Sequence, residues 1–296
     1  MKAGGAGSIP DNAKLSDKNH TQALSNFKKT VGNAVFNLNT IVVGLDAVDN
    51  GYLKPAGLNI SWAPVDQEIA VRKTRKYVLE TVLVHVSEAL RQYILAISTL
   101  SQFSEVREKW KLKENPPPNS SKKKETVSIA EKFVDIAYQL VGKKEYRVSG
   151  AALLLHWRNH VVHSQSNAKL KHDQKRLLQK NEETISKEYS GLSVDCILCH
   201  FSERRPTLKD ISSLISMTVR IVQQMDKSIY EGFEVSDLKA WLDYYGVTEK
   251  LAKIERETEP SKVEASISRV FSSHAPKLLN PYLKYRDEIS GSKVKD

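Results

Sequence analysis

Between Val65 and about Trp110 the apolar residues return every three or four positions, through Ile69, Tyr77, Val82, Val86, Leu90, Tyr93, Ile97 and Leu100. A strand would send alternate side chains to opposite faces, so this period commits the segment to helix. Some forty residues of unbroken helix would run roughly 60 Å, further than a compact domain is wide, and a break is expected within it. The segment ends at "KENPPPNSSKKKET", residues 113–126, where three prolines remove donors and the Ser/Lys tract has nothing to bury. That tract reads as an exposed loop.

Helical blocks follow from Ser128 to a stop at Gly142, over roughly 149–165, from Asn167 to Tyr189, and from Pro206 through Met225. "LSVDCILCHF" reads as irregular or strand-like, and Val31–Leu45 is open between helix and strand because β-branched residues blur its period. The class that fits is all-α. It comprises a partly disordered extension over 1–60, a helical bundle over 61–230 and a small helical region over 231–296.

At 296 residues the chain can bury a core without covalent staples, and two cysteines make no disulfide framework, which favours a reducing compartment. No apolar run has signal-peptide or membrane-span length, so a cytoplasmic protein with no membrane partner is expected. A formal charge of +10 favours a polyanion as partner, although solvated lysine faces give the same balance.

The chemistry concentrates in "ALLLHWRNHVVHSQSN", residues 152–167, where an apolar wall gives way to His156, Arg158, Asn159, His160 and His163. On a helical wheel Asn159 and the three histidines share a stripe about 100° wide, with Arg158 on the opposite side. Three imidazoles spaced four and three apart match a catalytic zinc set with one open position. No carboxylate lies on the stripe to orient them, which speaks against metal. Histidines at a helix end that are satisfied locally are the second reading.

The third reading is carried by Arg158-Asn159-His160-Val161-Val162-His163, an Arg followed after four residues by a His, late in a helical chain. This resembles the RxxxxH signature of the HEPN superfamily, including the polar residue directly after the Arg. The resemblance covers at most residues 65–230. It implies a HEPN-like helical bundle that cleaves RNA without a cofactor or metal, working as a homodimer in which two copies of the motif meet. On that pattern Arg158 holds the phosphate, His163 moves the proton, Asn159 orients the scissile group or a neighbouring side chain, and His160 is auxiliary.

Arg158 and His163 diverge by about 140° on a straight helix. A dimer that mixes one copy's Arg with the other's His would bring them together. Members of the superfamily often add a polar residue from a preceding helix, and Glu88 is the candidate here, with Glu80, His85 and Arg91 as weaker ones. Lys171, Lys175 and Arg176 on the following helix are placed to bind flanking RNA backbone. The same resemblance suggests a toxin or phage-defence role, with an inhibitory or defence-system partner protein. The alternative is a non-catalytic HEPN-like module that binds nucleotide or protein.

"CILCH", Cys196–His200, matches the C-x-x-C-H haem-attachment pattern, but that chemistry needs export and no export signal is seen. Ile197 and Leu198 between the thiols suggest that the cysteines pack into apolar surroundings.

Overall fold

The fold comes from a computed structural model that describes residues 21–117, 124–163, 165–232 and 247–274, with positions 238, 239, 242, 279, 282 and 283. Among the described residues there are eleven α-helices and no strand, as the periodicities require. The first twenty residues of the expected N-terminal extension, and 118–123 of the Pro/Lys loop, lie outside the described residues.

The chain divides into two compact units, Ala23–Ser228 and a smaller one that contains the chain from Ile229 onward. Val31–Leu45 is helical, inside α1 (Gln22–Asp49), which belongs to the larger unit. α1 buries Leu24, Phe27, Val31 and Leu38, spaced three, four and seven apart, so a single stripe meets the bundle. Phe27 lies against Tyr93 near the far end of α2 (Gln67–Ile97), while the Gln67 amide donates to the Val48 carbonyl. The two helices therefore run antiparallel. By length and composition α1 is apolar enough to cross a membrane, and no other described helix is.

The expected break is at Ser98–Leu100, followed by a 3-10 turn, Ser101–Phe103, and α3 (Ser104–Glu114). Arg107 holds the turn by donating to the carbonyls of Ser98 and Leu100, the latter at 2.6 Å. α4 (Ile129–Val141) starts on a reciprocal cap in which the Glu131 N–H donates to Ser128 Oγ and the Ser128 N–H to the Glu131 carboxylate. Gly142, at φ +85°, lets the chain turn out of it.

α5 (Tyr146–Val162) is the axis of the bundle and packs on α2, on α4 and on α6 (His172–Lys180). Ala151 through Leu155 are fully buried, because a helix that is apolar all round survives only when surrounded. α9 (Leu208–Glu231) comes so close that a Cβ on Gly150 would sit 2.5 Å from the Met217 sulfur. Arg147, at the start of α5, forms two bonds with the Glu188 carboxylate, at 3.1 and 2.9 Å. Glu188 also pairs with Arg220 at 2.7 Å, and these cations, Arg147 foremost, hold its pKa below the usual carboxylate range.

The Asn167–Tyr189 block is two helices, α6 and α7 (Glu182–Glu188), broken at Asn181. "LSVDCILCHF" is not strand-like: it forms α8 (Val194–Glu203), capped by Ser193 and with Val194, Ile197 and Phe201 buried on one face. In the smaller unit α10 (Val247–Glu257) packs on α11 (Pro260–His274). There Tyr282 reaches Phe271 with its ring and Glu255 with its hydroxyl.

Candidate functional site

The apolar wall of α5 ends one turn before the motif. Trp157 is still buried, while His156, Arg158, Asn159 and His160 are partly exposed as the helix emerges from the bundle. That emergence is why titratable groups follow directly on the leucines: the same helix leaves the core within a single turn.

Arg158 Nη1 donates to Asn159 Oδ1 at 3.2 Å, and no carboxylate among the described residues lies within ion-pair distance of the guanidinium. Its charge is therefore held by a neutral neighbour, with donors left over for an anion. His163 is not on the helix. It is the residue after the last turn, with extended backbone (φ −121°, ψ 100°) and an exposed side chain. Its N–H donates to the Asn159 carbonyl at 3.0 Å, and its own carbonyl accepts from the Ser166 N–H at 2.8 Å. Asn159 thus touches both residues, binding Arg158 through its side chain and His163 through its main chain.

The four-and-three histidine stripe is broken by this exit, since a wheel position has no meaning past the helix end. Among the described residues no three of His, Cys, Asp and Glu gather closely enough to hold an ion. His160 turns inward: its ring stacks on Phe201 of α8 at 4.6 Å, and Nε2 lies 2.8 Å from the Ala168 carbonyl. A carbonyl only accepts, so Nε2 carries a proton, while Nδ1 is buried with no protein partner among the described residues. His156 Nδ1 is likewise buried without one, and burial, followed by the field of His160, pushes the His156 pKa down. His160 is thus packed against α8 and bonded to the segment that follows the helix.

The segment after the helix is pinned from a distance. Arg204 Nη2 donates to the Ser166 carbonyl at 2.9 Å from the end of α8, where Arg204 itself is left-handed at φ +57°. Sequence reading missed both Phe201 and Arg204. The sole local sign was the basic pair "RRP" after an apolar helix face, and nothing in it names a partner thirty-eight residues back.

Lys171, Lys175 and Arg176 are exposed, and none has a carboxylate within ion-pair distance among the described residues. Lys171 lies near the motif helix, close enough for its charge to lower the pKa of His156 on α5 and of Glu131 on α4. From Arg158 to Arg176 the chain carries five Arg or Lys residues against the single acid Asp173. Glu88 is not brought to the motif by any contact: its carboxylate accepts from Arg91 at 2.9 Å and from Gln92 at 2.7 Å, both on α2. Glu80 pairs with Lys76 of the same helix.

Both cysteines are free and exposed, contrary to the expectation of apolar surroundings, because Ile197 alone of the residues between them turns fully into the core. His200 is held by Asp210 at 2.8 Å, part of the cap that starts α9, and so has no free nitrogen aimed at the thiols from Nδ1.

Comparison of the chain with protein-family models, with curated proteins and with solved structures returns no match.

Proposed function

We propose that the chain is a HEPN-like, metal-independent endoribonuclease that acts as a homodimer through the ends of its motif helices, in the cytoplasm. The observation that carries this reading is the occurrence, at one helix end, of an arginine with no acidic partner among the described residues and an exposed histidine just past the last turn. RNA cleavage by the ribose 2′-hydroxyl needs these two functions. The 2′-oxygen attacks phosphorus, its proton leaves to a base, and the bond to the 5′-oxygen breaks as that oxygen takes a proton. The products are a cyclic phosphate and a free 5′-hydroxyl. An imidazole titrates in the range where it can take or give such a proton, and a guanidinium neutralises charge on the phosphoryl oxygens.

In this reading His163 is the acid or base and Arg158 the phosphate holder. Asn159 keeps the guanidinium in place. Lys171, Lys175 and Arg176 extend the contact along the RNA backbone. A two-fold through the motif ends sets one copy's Arg158 beside the other's His163. The superfamily's toxin and defence roles, with an inhibitory or defence partner protein, are the biological setting that the resemblance implies.

The test is incubation of the purified protein with total RNA in EDTA. Cleavage is expected, with Arg158→Ala and His163→Ala each reducing it by about two to four orders of magnitude, the usual worth of a positioned acid–base or charge-stabilising group. Intact RNA together with tight nucleotide binding assigns the same residues to a non-catalytic binding module. Cleavage that EDTA abolishes removes the metal-independent mechanism.

A further inference from the structure

The chain has two cysteines, and both lie on α8, three positions apart, free and exposed. The chemistry assigned to the motif uses neither. α8 is fixed by its opposite face, where Val194, Ile197 and Phe201 are buried and Phe201 meets the rings of Trp157 and His160. Rolling the helix would expose that apolar face, so both thiols stay turned to solvent.

We infer that Cys196 and Cys199 form a dithiol site that exchanges with small disulfides, of which glutathione disulfide is the representative, and closes into a disulfide within α8. Geometry carries the inference. Residues three apart on a helix are neighbours, with Cα atoms about 5 Å apart, inside the roughly 4.4–6.8 Å that a disulfide spans. Their Cβ atoms start at about 5–6 Å and must close to the roughly 3.5–4.5 Å of the bridge. The first turn is where α8 can give. An N–H there has no partner inside the helix, and that of Cys196 donates to the Ser193 hydroxyl at a long 3.4 Å. A bridge that is exposed and closed against the helix is of the readily reduced kind, so the site works in both directions.

The surroundings set the order of events. Cys199 donates to the Glu203 carboxylate at 3.5 Å, and that bond, with the negative charge behind it, raises the Cys199 pKa. Cys199 therefore keeps its proton while the Cys196 thiolate attacks first. The Cys196 sulfur bonds to one sulfur of the small disulfide, and the first small thiolate leaves. Cys199 then gives its proton to Glu203, attacks the Cys196 sulfur and releases the second thiolate. The two protons lost by the cysteines end on the two small thiols, and two electrons pass from the protein sulfurs to the small disulfide. Among the described residues no third His, Cys, Asp or Glu joins the pair closely enough to hold a metal ion, so exchange rather than ligation is the chemistry of this face.

The site lies outside the motif, and its test does not depend on RNA cleavage. The full chain is equilibrated in glutathione buffers from fully reduced to fully oxidised, quenched with acid, alkylated with N-ethylmaleimide and weighed intact. With no third cysteine in the chain, each species has one assignment. The expected result is a single transition from a doubly alkylated monomer to a monomer that takes no label and carries no glutathione, reversed on return to reduced buffer. Cys199→Ser is expected to stop at one glutathione on Cys196. Near neutral pH the remaining thiol of Cys196→Ser is expected to label several-fold more slowly than that of Cys199→Ser, and adding Glu203→Gln to Cys196→Ser to remove most of the difference. Circular dichroism matching wild type verifies the fold of each variant. A wild type that stays doubly labelled in oxidised buffer overturns the inference, and so does one that ends with a glutathione on each cysteine or as a disulfide-linked pair of chains. Equal labelling rates in the two single-cysteine variants overturn the order of attack.

Discussion

His156 shows how one side chain can tie the site to the stability of the whole bundle. Its Nδ1 is buried and without a protein partner among the described residues, and burial holds its pKa below the model-peptide value of 6.5. Between that depressed value and 6.5 the unfolded chain binds more protons than the folded one, so stability rises with pH through this window. The contribution is complete above about pH 6.5 and is lost as pH falls through the folded pKa. Thermal unfolding measured from pH 5 to pH 8 is expected to show a midpoint that drops on the acid side, and His156→Gln is expected to flatten that drop. An unchanged acid slope in the variant would assign the pH dependence to other groups. His163, seven residues on, is exposed and lies outside the helix.

At the scale of the element, α5 is held by close packing over its first half and by caps and crossings over its second. Gly150→Ala drives a methyl group against the Met217 sulfur at 2.5 Å and is expected to cost about 1–3 kcal/mol by overpacking, read as a lower midpoint in urea. A neutral result would mean that Met217 simply swings aside. The helices themselves were legible where period and punctuation agreed: Ser128 with Glu131 and Gly142 bracket α4, and the regular apolar spacing marks α2 together with its break. α8 was not, because a short segment with Val194 and Ile197 close together has too few turns for its period to emerge. The motif's real geometry was hidden for a different reason. A wheel assumes that the helix continues, and His163 is the residue at which it stops; the contacts of His160 with Phe201 and of Ser166 with Arg204 join segments that no local pattern connects.

On the scale of the whole molecule, charge is unevenly placed. The stretch from Arg158 to Arg176 carries five Arg or Lys residues against the single acid Asp173, while Thr30 to Leu45 on α1 carries no charge at all. If RNA is the polyanion, its affinity falls as salt rises, with a log–log slope of about −0.7 for each phosphate neutralised on a single strand. Replacing Lys171, Lys175 and Arg176 together by Ala is expected to make that slope shallower by about two, measured by fluorescence anisotropy on a labelled single-stranded RNA between about 50 and 200 mM salt. A slope that does not change would place the RNA elsewhere on the surface.

The left-handed turn at Arg204 gives this arrangement a practical handle. Because its guanidinium donates to the Ser166 carbonyl, the end of α8 is tied to the chain three residues beyond His163. Arg204→Ala removes that tie without altering any group of the motif.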